Sequence, residues 1–236
     1  MVVETVEITK LSEFISYIEE LPKGFILSRG QNCKYSLLPS GLRKDSRSLR
    51  LYSKRTINDF LVDFKIKSHN YMEQPWDINH NLEWMMHAQH FGVPTKLLDF
   101  TYSHIFSLMF AVEDAFISKS EDASVWFLDP LKLNHESCRR SEILNISGNE
   151  IDPDMYDGPF VIQIRRSNNR INSQKGLFVY FPEESIPLET LANSDRFLQK
   201  VVIKKKYKKD IISSLYSIGI HKTQIFPELQ SVGQDI

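Results

Sequence analysis

The sequence predicts an α+β fold, a single domain with a mixed, mainly antiparallel sheet and flanking helices. Two observations support this class: short apolar runs that suit strands occur along the whole chain, and helical patterns are grouped early and before the last strand. No period of 20–50 residues repeats, which excludes solenoids and propellers. With 236 residues, 42% of them hydrophobic, the chain can bury one sizeable core, so one domain over residues 1–236 is expected.

The predicted strands are short apolar runs, or runs alternating apolar with polar residues, bounded by turn residues. They lie at residues 2–8, 25–30, 124–129, 160–164, 177–181 and 197–203. The second strand ends in Arg29 and Gly30, so it delivers a charged side chain to a glycine turn. A turn is expected at Asp129 and Pro130.

The predicted helices show apolar residues at helical spacing, or an apolar run too long for a strand. They lie at residues 14–18, 42–74, 81–90, 105–116 and 209–218. The third should end at Gly92, because glycine suits a C-terminal cap and Pro94 prevents continuation. Residues 134–158 are polar and lack periodicity, which predicts a long connection with at most one short helix, one that could cover a cleft.

The composition limits the partners and the cellular compartment that we expect for the protein. The net charge of −1 gives no global attraction to nucleic acid or to acidic membranes. Cys33 and Cys138 are far apart and have no His or Cys at ligand spacing, which fits a reducing compartment. The first residues are acidic where a signal peptide is basic, and no stretch of ~18 apolar residues occurs. We therefore expect a cytoplasmic protein without membrane insertion.

Two polar clusters, at residues 28–31 and 88–99, contain the candidate site. In the first, the guanidinium of Arg29 could bind a phosphate or carboxylate bidentately, while Gly30 lets a ligand approach the backbone. Gln31 adds donors nearby. The alternative, which the sequence leaves equally open, is that Arg29 pairs with a carboxylate at the edge of the core.

In the second cluster, His87 and His90 lie one helical turn apart, which invites a zinc hypothesis. The spacing of a hydrolytic zinc helix, two histidines four apart with an intervening Glu, is absent, so no metal is expected. Gln89 and His90 are better interpreted as neutral hydrogen-bonding groups, with the following turn presenting Thr95 and Asp99 to the same space. The alternative is a capped helix end in which Asp99 bonds backbone amides.

One dense basic run, residues 204–209, contains Lys204, Lys205 and Lys206 beside Tyr207. These lysines could hold a nucleic-acid backbone, although a solvated strand-to-helix turn is the commoner structure for such a run. Glycine-rich phosphate loops, Gly-x-Ser-x-Gly elbows and Cys-x-x-Cys pairs are missing. Their absence argues against nucleoside triphosphate hydrolysis, α/β-hydrolase chemistry and zinc ribbons.

Taken together, the clusters resemble the FRG domain family. The matching segments are residues 29–31, 38–40 with Arg43, 88–101, 110–111, 169–171 with Gln174 and Gly176, and 226–229. The chain departs from the family pattern at Ser28, where an aromatic residue is usual, at Lys96, where Arg is usual, and at Phe100, where Trp is common. The change at Lys96 removes a bidentate donor.

The resemblance implies a biological context but no established activity. FRG domains are widespread in bacteria, their phages and mobile elements, which implies a role in the conflict between them, as a toxin or in defence. An early strand that ends in Arg and a small residue is also similar to the first motif of ADP-ribosyltransferases, where the Arg holds the diphosphate and ribose of NAD. This implies NAD as a substrate and an ADP-ribosyltransferase-like fold.

On this hypothesis the protein is an NAD-dependent ADP-ribosyltransferase or an NAD glycohydrolase. Its catalytic residues would be Arg29, His90 and Glu228, and its substrate-binding residues would be Gln31, Gln89, Thr95, Asp99 and Gln174. A departing nicotinamide leaves a positively charged sugar that needs a carboxylate nearby, and Glu228 is the only late acidic residue in a matching motif. The alternative is a non-catalytic module that binds a host or phage protein, or nucleic acid, through residues 134–158 and the basic run.

Overall fold

The computed structural model describes residues 3–72, 75–146, 152–164 and 176–225. Eight strands lie in these ranges: β1 (Thr5–Ile8), β2 (Leu27–Gln31), β3 (Leu97–Thr101), β4 (Ala123–Leu128), β5 (Leu144–Asn145), β6 (Phe160–Gln163), β7 (Gly176–Tyr180) and β8 (Leu198–Ile203). They form one sheet in the order β1-β8-β4-β2-β3-β7-β6-β5.

Two of the strand pairs, β1 with β8 and β5 with β6, are parallel. The pairs β2–β3, β2–β4, β3–β7, β4–β8 and β6–β7 are antiparallel. The predicted α+β class with a mixed, mainly antiparallel sheet is therefore confirmed.

Seven α-helices lie in the described ranges: α1 (Leu11–Glu20), α2 (Lys54–Ser68), α3 (Asn81–His90), α4 (His104–Val112), α5 (Pro130–Cys138), α6 (Lys205–Ser217) and α7 (Lys222–Ile225). Side-chain caps start four of them: Ser53 accepts from the Thr56 amide, His80 from Leu82, Ser103 from Phe106 and Asp129 from Lys132. Among the described helices, none is both long and apolar enough to cross a membrane.

Helices α1, α4 and α6 cover one half of a sheet face. Val125 and Phe127 of β4 join their cluster, whereas the alternate residues Trp126 and Leu128 join the cluster on the opposite face. The other half of the first face is covered by α3, which packs on Leu97 of β3 and on the inward residues of β6 and β7. A gap between α3 and α4 thus lies above β2 and β3.

The structure corrects five expectations from the sequence. Residues 97–101, left in a polar cluster by the sequence, form β3, because Leu97 and Leu98 are buried on opposite faces and hide the alternation. Of residues 42–74, only 54–68 form the predicted long helix. The turn expected at Asp129 is a helix cap, and the 134–158 connection also holds strand β5. The predicted helix at 209–218 begins four residues earlier, at Lys205.

Candidate functional site

A cleft of about 370 Å³ lies where β2 and β3 separate. The two strands pair only through Ser28 opposite Thr101; beyond this point β2 follows β4, and β3 follows β7. Side chains from α3 and α4 complete the walls. The volume is within the range of small-molecule sites, about 300–1,000 Å³.

Arg29 bridges the separated strands. Its Nη1 donates to the carbonyl oxygen of Asp99 at 2.9 Å and lies 2.8 Å from the carboxylate oxygen Oδ2 of the same residue. The guanidinium therefore donates a hydrogen bond to a carbonyl oxygen of β3 with which the backbone of β2 does not pair. This is the carboxylate pairing that the sequence left open as an alternative. Within the described chain, however, Nη2 makes no hydrogen bond and the buried Nε has no acceptor, so the pairing uses only part of the guanidinium.

Gln89 and Thr95 hold Asp99 in place. The Gln89 amide donates through Nε2 to Asp99 Oδ1 at 3.0 Å and accepts through Oε1 from the Thr95 hydroxyl at 2.5 Å. Thr95 is only 2% exposed and also accepts from the Leu97 amide. Gln89 lines the cleft, whereas Thr95 does not. Thr95 bonds Gln89, and Gln89 in turn bonds Asp99.

Gln31 lines the cleft, and a hydrogen bond fixes the orientation of its side-chain amide. The Trp126 indole, which can only donate, bonds Gln31 Oε1 at 3.0 Å. Gln31 Nε2 is consequently a buried donor, and no acceptor for it occurs in the described residues. Leaving such a donor unpaired costs roughly 1–3 kcal/mol, which an oxygen atom of a ligand could recover.

The cleft wall contains a second guanidinium and an imidazole. Arg43 lies with its guanidinium carbon 4.6 Å from the centre of the Tyr35 ring, which orients the cation. His90 also lines the cleft and contacts Phe91 edge to face. The neighbouring His87 has a lowered pKa, mainly because it is buried and to a smaller extent because of the charge of His90.

Glu113 is a cleft residue that the sequence analysis missed. It directly follows α4, and Ser107, Phe110 and Glu113, at intervals of three, all line the cleft. Burial raises the pKa of its carboxyl, an effect that the charge of Lys222 opposes. The helical spacing after Phe110 is the signal that could have located it, since residues three apart share one helix face.

Glycine at position 30 allows α4 to lie against β2. A Cβ atom there would be 1.9 Å from the Ser107 carbonyl oxygen, which no packing tolerates. Next to this contact, the Ser28 hydroxyl bonds Ser107 Oγ and His104 Nδ1, each at 2.8 Å. Burial lowers the pKa of His104. Ser28 is completely buried, so it serves as a packing contact between strand and helix.

The predicted residues Gln174 and Glu228 lie outside the described residues.

Lys96, where the family has Arg, is 5% exposed and does not line the cleft. Its ammonium pairs with Asp154 at 3.1 Å, and the Tyr180 hydroxyl donates to the same carboxylate. The described part of 134–158, to which Asp154 belongs, contributes no side chain to the cleft.

Lys204 connects β8 to α6, and the rest of the basic run, residues 205–209, forms the start of α6. Lys204 pairs with Asp122 at 3.2 Å, and the Lys205 ammonium donates to the Ser118 carbonyl at 3.2 Å. Lys206 lies over the Tyr207 ring. The described residues include no group of three or more His, Cys, Asp or Glu side chains able to hold a metal ion.

Comparison with known proteins gives one match. The family model of the FRG domain matches residues 26–120. Neither the curated proteins nor the solved structures include a significant match. The matched span runs from β2 through α4 and holds every lining residue of the described cleft except Gly176 and Phe178. Residues 26–120 of this chain are therefore similar to FRG domains.

Proposed function

We propose that the cleft between β2 and β3 binds NAD and that the protein breaks the bond between nicotinamide and ribose, passing ADP-ribose to an acceptor or to water. One observation carries this proposal. Arg29 and Gln31 come from one segment, Gln89, His90 and Asp99 from another about sixty residues later, and all five line one cleft.

The donors of the cleft suit a diphosphate. Arg29 keeps Nη2 available beside its contact with Asp99, and Arg43 supplies a second guanidinium. Two planar cations with several donors each match the oxygen atoms of phosphates better than ammonium groups do. Gln31 Nε2 adds a neutral donor for a ribose hydroxyl or a carbonyl oxygen.

The bond-breaking step depends mainly on electrostatics. Departure of nicotinamide leaves a sugar with positive character at its reacting carbon, and a nearby carboxylate stabilises this charge. His90 and Asp99 shape the pocket around it. Gln174 and Glu228, expected from the resemblance at the far wall, stay part of the proposal. The resemblance also supports a role in conflict between bacteria and phages, and the two separated cysteines favour a cytoplasmic location.

Release of nicotinamide from NAD by the purified protein tests this function. Wild type should release nicotinamide, and Arg29→Ala should lower kcat/KM about 10- to 100-fold, since charge-assisted hydrogen bonds are worth roughly 1.5–3 kcal/mol. The matched control is Arg47→Ala, because Arg47 is 77% exposed and pairs with Asp45 outside the cleft. Absence of turnover by the wild type with every acceptor tried would refute the proposal, as would equal rates for the two variants.

Binding of a macromolecule through the basic run is the second candidate. It has less support, because Lys204 and Lys205 already contact Asp122 and Ser118. Its test is charge reversal of Lys204, Lys205 and Lys206. Unchanged partner binding with unchanged salt dependence would exclude this surface.

A further inference from the structure

The cleft contains two described carboxylates, and they differ in how they are engaged. Both oxygens of Asp99 are occupied, one by Arg29 and the other by Gln89. Among the residues that the structure describes, none donates a hydrogen bond to Glu113 or forms an ion pair with it within 4.0 Å. Glu113 is therefore the cleft carboxylate whose oxygens are available for a reaction.

The position of Glu113 is set by the packing of α4. The absence of a side chain on Gly30 lets this helix lie against β2, and the helix then places Ser107, Phe110 and Glu113 along one wall. The helix contacts β2 directly, so the carboxylate and the Arg29 guanidinium approach the same space from different elements. An ordered helix end is a better support for a reacting group than a loop.

Glu113 is half-buried, and the charged groups around it do not neutralise its carboxylate. Lys222 on α7 attracts it, Asp114 on its own chain segment repels it, and Lys208 on α6 attracts it weakly. Lys208 is committed elsewhere, because it pairs with Asp114 and donates to the carbonyl oxygen of Asn32. Burial is the largest influence and raises the pKa of the Glu113 carboxyl, which makes its carboxylate a stronger base.

We propose that Glu113 is the general base of the reaction, accepting a proton from the water or acceptor hydroxyl that attacks the ribose. This inference rests on the function proposed above. In hydrolysis, the bond from the ribose carbon to the nicotinamide nitrogen breaks and its electron pair leaves with nicotinamide. The water oxygen forms the new bond to that carbon, its proton goes to Glu113, and the carboxyl later releases the proton to solvent.

The test compares nicotinamide release by wild type, Glu113→Gln and Glu113→Asp over a range of pH, with ADP-ribose binding measured separately by calorimetry. Glu113→Gln should lower kcat about 100-fold or more, the usual contribution of general base catalysis, and leave ADP-ribose affinity within about threefold. Glu113→Asp keeps a carboxylate one methylene shorter and should retain an intermediate rate. Glu20→Gln, the same change at an exposed site on α1, should behave as wild type.

The pH profile separates catalysis from structural support. The wild-type rate should fall on the acid side with an apparent pKa above the ordinary glutamate value, and this limb should be missing from the residual rate of Glu113→Gln. If Glu113→Gln keeps the wild-type rate while Arg29→Ala loses it, the inference about Glu113 is overturned and the proposed function stands. If wild type releases no nicotinamide, both are overturned.

Discussion

At the scale of single residues, the cleft keeps a carboxyl in surroundings that disfavour its charge. The raised pKa of Glu113 means that folding penalises its ionised form. Its stabilising contribution is fully present below the ordinary pKa of 4.5 and is lost as pH rises through the raised value, because the unfolded chain ionises first. Such a cost at neutral pH is typical of groups retained for chemistry.

Removing this charge should therefore stabilise the protein. Glu113→Gln should raise Tm at neutral pH, because the variant carries no charge for folding to penalise. The gain should shrink as the pH approaches 4.5, where the native carboxyl is protonated in the folded state. Thermal unfolding at a series of pH values measures it. A variant less stable than wild type at neutral pH would show that the Glu113 carboxylate supports the fold.

At the scale of elements, the contact between β2 and α4 builds the wall of the cleft that carries Glu113. Gly30→Ala would force a methyl group against the Ser107 carbonyl, and backbone on both sides leaves little room for adjustment. We expect a loss of about 3 kcal/mol in the free energy of unfolding, at the upper end of the cost of overpacking.

Urea denaturation of Gly30→Ala and Gly176→Ala tests this contact. Gly176 lies in β7 with its nearest atom, the Phe100 carbonyl oxygen, 3.3 Å from an added Cβ, so its replacement should cost much less. Equal stability of the two variants would mean that α4 can move away from β2 without loss.

Elements with a clear periodicity were predictable, and those shaped by contacts were not. The strand that ends in Arg29 and Gly30 followed from its apolar run, and the end of α3 followed from Gly92 and Pro94. Strand β3 was not predicted because both of its faces are buried, which removes the alternation that marks a half-buried strand. Most of the cleft residues were found as a motif, whereas the only sequence signal for Glu113 was its helical spacing from Phe110.

At the scale of the whole molecule, Lys208 joins parts of the chain that are distant in sequence. Its side chain is fully buried on α6, pairs with Asp114 and donates to the carbonyl oxygens of Asn32 and Glu121 and to the Ser120 hydroxyl. Asn32 directly follows β2 and lines the cleft. The amine therefore ties the late helix to the segments that carry the site.

Lys208→Met should destabilise the fold by about 3–5 kcal/mol, because it leaves the Asp114 charge and three polar groups without their donor. Lys209→Met, a change at the exposed neighbouring residue, is the control and should stay within about 0.5 kcal/mol of wild type. Chemical denaturation of both variants gives the comparison. Similar stability of the two would show that the buried amine is dispensable.

The sequence suggested the basic run as a nucleic-acid surface, but two of its lysines, Lys204 and Lys208, form ion pairs within the fold. Its composition alone could not reveal this, because the partners of Lys204 and Lys208 lie some eighty residues or more earlier in the chain. The antiparallel pairing of β4 with β8 sets Ala123 opposite Ile203 and so brings Asp122 beside Lys204.

In the proposed function, the cleft at the separation of β2 and β3 holds the diphosphate of NAD through Arg29. Calorimetric titration with ADP-ribose measures this contact, because the ligand keeps the diphosphate and both riboses and is not consumed. We predict saturable binding of one molecule per chain to wild type and to Arg47→Ala, with affinity lowered at least about tenfold in Arg29→Ala. Absence of binding to the wild type, or unchanged affinity in Arg29→Ala, would contradict the account.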